Sequence, residues 1–269
     1  MVLPRELDPS SSVAAYFGSE LRRYRTAADL SQGRLGEIIN YTGALVGLVE
    51  TAKRTPSRDF AERCDDALNT DGALGRLWPL VNRGNFPSWF RGYVELEATA
   101  TSIATFEVQA VPGLLQTADY ARAVLSAGRP GDVEEKVIAR LERQHVLEQA
   151  APPLLWAILD EALLRRPVGG TATMRAQLKR LAELAGAQRI VLQVLPFGTG
   201  EHACMDGAMT ILSFAEGPDV VYLEGPGNGQ LINQPEQVDQ CQLRYDLVRA
   251  AALSPAASVD MICAAMEEL

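Results

Sequence analysis

Asp160 and Glu161 stand side by side at the end of an apolar run, Leu154 to Leu159. Paired carboxylates can move protons in acid–base catalysis. Adjacent residues point in different directions, however, and simpler tasks are at hand: Asp160 can cap the helix that follows, and Glu161 can pair with Arg165. His202, Cys204 and Asp206 recur at every second position, which on a strand would put them on one face, and zinc takes such ligands. Their segment is a glycine-flanked loop with no evident fourth ligand, so no metal is expected. Cys204 carries no nucleophile signature with either His145 or His202. The segment Gly225-Pro226-Gly227-Asn228-Gly229 resembles a phosphate loop only in its glycine content. The lysine and the following helix are missing, so a flexible hairpin turn is expected. The expectation is no catalytic residue, no metal, no cofactor and no enzymatic activity.

Lys53 and Arg54 point to a different chemistry, the gripping of phosphates. Taken alone, two cations after a helix are a solvated C-terminal cap. The elements around them give them context. Ser10-Ser11-Ser12 can cap a first helix, Val13 to Ala28, whose Ala14, Phe17, Leu21 and Tyr24 follow helical spacing. Ser31 caps a second helix, Gln32 to Ile39. Asn40-Tyr41-Thr42 forms a tight turn, since Asn tolerates the left-handed backbone such turns need. Thr42 caps a third helix through Thr51; Pro56-Ser57 opens a fourth, Arg58 to Leu68; a fifth covers Ala73 to Leu80. These five short helices make a compact α bundle. Asn82 to Pro87 reads as a linker, with a boundary near residue 84.

Beyond it the pattern changes. Helices are expected at Ser88 to Ala100, Leu114 to Leu125, Asp132 to Glu148, Thr173 to Ala185, Pro235 to Leu253 and Ser258 to Glu268. Strands are expected at Ile103 to Val111, Leu154 to Leu159, Ile190 to Leu195, Ala208 to Phe214, Val220 to Leu223 and Gln230 to Ile232. Strands alternating with helices, then a hairpin, indicate a mixed α/β domain. Trp89, Phe90 and Tyr93 lie at helical spacing and read as packing residues.

Net charge divides unevenly. The whole chain of 269 residues carries −9, but residues 1–84 are neutral and residues 13–60 carry +2, so all the acidity lies in the C-terminal part. DNA binding depends on local phosphate contacts, so the total does not forbid it. No apolar run is long enough to span a membrane. Met1 to Ser12 lacks the apolar core of a signal peptide. Four scattered cysteines, Cys64, Cys204, Cys241 and Cys263, fit free thiols in a reducing compartment. A cytoplasmic location is expected.

From Leu30 to Leu68 the sequence resembles the Cro/CI-repressor-like (Xre) helix-turn-helix family without a gap. The residues that carry this are Leu30-Ser31-Gln32, Leu35, Glu37, Ile39, Tyr41-Thr42, Val46, Val49-Glu50, Lys53-Arg54 and Pro56-Ser57. The resemblance implies that Leu35, Ile39, Val46 and Val49 form a small core. It implies that Gln32, Lys53 and Arg54 meet phosphates, that Arg34 is a further DNA-binding residue, and that Thr42 caps the recognition helix and touches the backbone of DNA. Gly43, Ala44, Leu45, Gly47 and Leu48 would take its outer positions. Family members usually carry polar side chains there; here they are Gly, Ala and Leu, which offer no bidentate contact to a base edge. Further stretches resemble WhiJ-like regulators: Tyr41 to Val49, Phe60 to Asp66, Phe106 to Ala123, Leu159 to Gly170 and Gly200 to Phe214. That resemblance implies a bacterial regulator with a small partner protein encoded nearby.

The expectation is an α + α/β protein. Residues 1–84 form an Xre-type five-helix DNA-binding domain, and residues 85–269 a mixed α/β sensor or partner-binding domain. Double-stranded DNA is the expected partner and a homodimer the expected state. Two rivals stand beside this reading. One is an antitoxin-like interaction module with a degenerate helix-turn-helix; the other is an enzyme in residues 85–269 gathering Asp160, Glu161 and His202.

Overall fold

The computed structural model describes residues 8–83, 88–129 and 131–269. Contacts divide the chain into two units, Met1–Pro87 and Ser88–Leu269. The expected linker and the boundary near residue 84 fall on or beside residues 84–87, outside the described residues.

The first unit is helical: α1 (Val13–Ala27), α2 (Gln32–Ile38), α3 (Gly43–Glu50), α4 (Arg58–Leu68) and α5 (Ala73–Arg83). The first four begin where a small hydroxyl side chain accepts a backbone N–H that the helix leaves unbonded: Ser12 from Ala15, Ser31 from Arg34, Thr42 from Leu45 and Ser57 from Phe60. Asp65 does the same for α5 from a distance. Its buried carboxylate accepts from the N–H groups of Leu74 and Gly75 at 2.9 and 2.7 Å, and from the Thr70 hydroxyl. The α5 helix runs past the expected Leu80 and carries Pro79 inside, which removes one backbone donor. Phe17, Leu21, Leu35, Val46, Phe60 and Leu74 anchor the core.

The second unit is a six-stranded sheet with helices on both faces. Its elements are α6 (Ser88–Glu97), β1 (Ser102–Glu107), α7 (Ala118–Ala127), α8 (Val133–Arg143), β2 (Leu154–Asp160), α9 (Ala162–Arg165), α10 (Thr171–Leu184), β3 (Ile190–Leu195), β4 (Met209–Ser213), β5 (Val220–Gly225), β6 (Asn228–Ile232), α11 (Pro235–Ala251) and α12 (Pro255–Glu267). The strand order is β3-β2-β1-β4-β5-β6. The strands β1, β2 and β3 are parallel, while β4, β5 and β6 continue antiparallel from β1. The α + α/β class expected from sequence is the class seen.

Period two along β2 shows how the layers form. Leu155, Ala157 and Leu159 face the layer containing α10 and α12, and Ile158 faces Tyr245 and Val248 of α11. Burial on both faces explains the continuous apolar run. Several boundaries differ from expectation. The strand expected to Val111 stops at Glu107. The helix expected over Leu114 to Leu125 splits into a 3-10 turn, Gly113–Leu115, and α7, capped by Thr117. The helix expected from Asp132 to Glu148 tightens to 3-10 after Arg143, and the Asp132 side chain makes no cap bond. The Gly225–Gly229 segment is the expected hairpin turn: Gly225 pairs with Asn228, and Gly227 takes φ +73° after Pro226, as a type II turn requires. All four cysteines are free. Among the described residues no single helix is long and apolar enough to cross a membrane.

The outer edge of β3 is covered rather than left open. Ser258 of α12 is fully buried; its hydroxyl accepts from the Val194 N–H at 2.9 Å and donates to the Ser254 carbonyl at 2.8 Å. The Leu253 N–H donates to the Val194 carbonyl at 2.9 Å. Ser258→Ala is expected to destabilise the unit by about 1–3 kcal/mol, because it leaves a buried N–H without a partner. Urea unfolding measures this; a loss below about 0.5 kcal/mol would show that the edge does not depend on the hydroxyl.

Candidate nucleic-acid interface

Apart from its last residue, α3 is an apolar octapeptide, Gly-Ala-Leu-Val-Gly-Leu-Val-Glu, and that single charge is fully buried. A carboxylate out of water needs counter-charge and hydrogen bonds. Glu50 receives both. Arg25 of α1 grips it with Nε and Nη2, the latter at 3.0 Å. Arg22 adds an ion pair at 3.6 Å, and the Gln32 side chain of α2 donates to Oε2 at 2.7 Å. Arg25 also donates to the Leu30 carbonyl in the α1–α2 turn at 2.6 Å. One carboxylate thus ties α1, α2 and α3 together. No role was assigned to Glu50 from sequence; a lone charge in an apolar helix was the signal that could have found it.

Glycines let these helices approach closely. A Cβ at Gly43 would come within 2.7 Å of the Gly33 Cα, and one at Gly36 within 2.7 Å of the Gly43 nitrogen. A Cβ at Gly18 would lie 2.6 Å from the Val49 carbonyl oxygen, and one at Gly47 would meet the Gln32 side chain at 2.9 Å. Gly43 and Gly47 therefore face α2, which corrects the expectation that they lie on the outer face of α3. Leu45 is corrected likewise: it is half-buried against the core. The outward stripe is Ala44 and Leu48, the latter 40% exposed.

Of the other expected site residues, Thr42 is the exposed N-cap of α3, its hydroxyl accepting from the Leu45 N–H at 3.2 Å. Arg34 is exposed and shares a surface ion pair with Glu37 at 2.8 Å. Gln32 is half-exposed; with one amide hydrogen held by Glu50, one remains for a phosphate. Lys53 is exposed and Arg54 half-exposed. The helix end places Lys53. Its N–H donates to the Leu48 carbonyl and the Ala52 N–H to the Val49 carbonyl, with Ala52 at φ +51°. This is a Schellman termination with alanine where glycine is usual. Arg22, Gln32, Ala44, Leu48, Thr51 and Lys53 line one open cleft. A shallow apolar stripe rimmed by cations can meet a polyanion and the methyl groups within its groove.

The chemistry-bearing residues of the second unit have structural partners. Asp160 accepts from the Ala162 N–H at 2.8 Å, and Glu161 pairs with Arg165 at 3.1 Å and accepts from the Phe197 N–H at 2.9 Å. His202 accepts from the Cys204 N–H at 3.2 Å, and Asp206 pairs with Arg244. Among the described residues no group of three such side chains is placed to hold a metal ion. Phe90 and Tyr93 pack in one aromatic cluster with Tyr222, and Trp89 packs on Phe90.

Two substitutions test the head. Glu50→Gln is expected to cost about 3 kcal/mol in urea unfolding, because it leaves Arg25, only 11% exposed in its side chain, without counter-charge. A loss under about 1 kcal/mol would show that the helices hold their angles without it. Ala52→Gly is expected to gain about 1 kcal/mol by relieving a left-handed alanine; no gain would mean the strain is absorbed elsewhere.

Comparison with known families fits both units. Residues 17–78 match a model described as a helix-turn-helix domain, and residues 90–263 one described as a domain of unknown function, DUF5753. No curated protein and no solved structure matches the chain. The second match covers more than half of the sequence, so the protein belongs to the DUF5753 family, here joined to an N-terminal helix-turn-helix domain.

Proposed function

We propose that the protein is a DNA-binding transcriptional regulator of the Xre type, related to WhiJ-like regulators, whose second unit is a regulatory or partner-binding platform without catalytic activity. The observation that carries this reading is the presentation of α3. The helix is fixed from behind by Glu50, its Ala44 and Leu48 face outward, and Arg34 and Lys53 stand exposed beside it. Small apolar side chains touch thymine methyls and let the helix lie close in the major groove, while base edges find no bidentate partner. Phosphate contacts then supply most of the affinity, and specificity comes from spacing. Two heads of a homodimer reading half-sites about 34 Å apart provide that spacing. A cytoplasmic location and a small partner protein encoded nearby complete the proposal.

Salt dependence tests it. The protein should shift its own upstream region at about 50 mM salt and release it steeply toward about 300 mM. Lys53→Ala and Arg34→Ala should each weaken binding about equally on all sequences and lower the salt slope by about one. Absence of any shift at the lowest salt sinks the proposal. The exposed Leu48 favours one alternative, an antitoxin-like surface that holds a protein. In that case Leu48→Glu abolishes partner capture, and DNA binding is absent throughout.

A further inference from the structure

An open sheet ends in two edges, and this one treats them differently. The β3 edge is occupied by the junction of α11 and α12, whose Leu253 and Ser258 take up the outward groups of Val194. The other edge is β6. Antiparallel strands exchange hydrogen bonds at every second pair. Gly225 and Asn228 flank the two-residue turn and form such a pair. Gln230 and Ile232 therefore bond to β5 as well, opposite Leu223 and Val221. Gly229 and Leu231, between them, turn their N–H and C=O groups away from the sheet. No described residue donates to these groups or accepts from them.

Proteins usually guard a free edge with a lysine, a proline, a bulge, an inward-pointing charge or a very short strand. None of these guards β6. It has five residues, Asn-Gly-Gln-Leu-Ile, in unbroken register with β5. Residues 225–235 carry no charge at all, in a chain whose net charge is −9. Two copies of an acidic body repel, so an uncharged rim is where they come closest. The rim is also complementary to itself. A two-fold axis through Gln230, perpendicular to the sheet, sets Gly229 of each copy opposite the partner's Leu231. Both pairs then exchange N–H and C=O bonds, and no outward group is left over. Side chains agree with this pairing. Leu231 is 38% exposed on the face covered by α6, where a Cβ on Gly92 would lie 3.3 Å from it. On the same face the half-buried Trp89 fills the place of the side chain that Gly229 lacks; a Cβ there would lie 2.8 Å from its ring. The two-fold brings Leu231 of one copy beside Trp89 of the other.

We propose that β6 is the contact through which two copies of this chain pair, their sheets joined edge to edge, antiparallel, about Gln230. This contact rests on the homodimer reading above and deepens it by naming the interface. A rim of this size associates weakly by itself. DNA with two half-sites holds both copies at once, and the second contact becomes intramolecular, so a weak pairing suffices.

Gln230 supplies the test, because it is exposed and meets its own counterpart across the axis. Sedimentation of the full chain without DNA, over about 1–100 µM, should show a reversible monomer–dimer equilibrium. Gln230→Lys sets two like charges directly opposite each other, and Gln230→Glu does the same with the other sign. Each should weaken self-association about tenfold at low salt, and an equal mixture of the two should restore it to wild-type strength or better. Leu231→Pro removes an outward N–H and no bond to β5, so it should abolish the dimer. Circular dichroism and melting show that each variant is folded; the Gln230 pair decides the matter if Leu231→Pro is not. Three results overturn the inference. One is a chain that stays monomeric at every concentration, which removes the homodimer reading as well. Another is a dimer indifferent to both charges, which leaves the homodimer standing on a different surface. The third is a mixture that does not recover, which would assign the edge to a strand from another protein. The DNA shift has its own outcome in each case.

Discussion

A single buried carboxylate organises the head. At Glu50 side chains from α1, α2 and α3 meet on one carboxylate, while most of the remaining contact among these helices is apolar. Ion pairs bury charge at a cost and return it as geometry. Here the geometry returned is the angle at which α3 meets the outside. The glycines at 18, 36 and 43 work with it: they let the helices come close enough for Arg25 and Gln32 to reach one carboxylate. Electrostatics sets the register and missing side chains set the distance.

This arrangement explains what was legible in the sequence and what was not. Caps were legible because a hydroxyl at Ser12, Ser31, Thr42 or Ser57 acts on a backbone N–H three residues ahead, a purely local event. Apolar periodicity placed most helices and all six strands for a similar reason. The facing of α3 was less legible. Gly43 and Gly47 look like outward small residues until α2 is known to lie against them, and Leu45 sinks into a core built from other helices. The break after Arg143 was missed because 3-10 and α segments share nearly the same apolar spacing, and the one after Leu115 because only two extended residues, Gln116 and Thr117, separate the 3-10 turn from α7. Asp160, one residue before the N-cap Glu161, accepts an N–H at the start of α9; this bond and the Glu161–Arg165 pair were readable because both are local, whereas the bond from Glu161 to the Phe197 N–H, 36 residues on, was not.

In the second unit the ion pair between Arg143 of α8 and Glu97 of α6, their side chains 9% and 2% exposed, sits against the rings of Phe90 and Tyr93. A charge pair so enclosed fixes the two helices against each other, since losing either partner would leave the other buried without counter-charge.

The covered edge of β3 has a consequence for how this chain can be damaged. An uncovered strand edge is a template for another chain. The junction between α11 and α12 occupies that edge through Leu253 and Ser258. A protease cutting between these helices would do more than remove a terminal segment. It would free the outward N–H and C=O of Val194 on a largely apolar strand, an edge that another chain could then use for pairing.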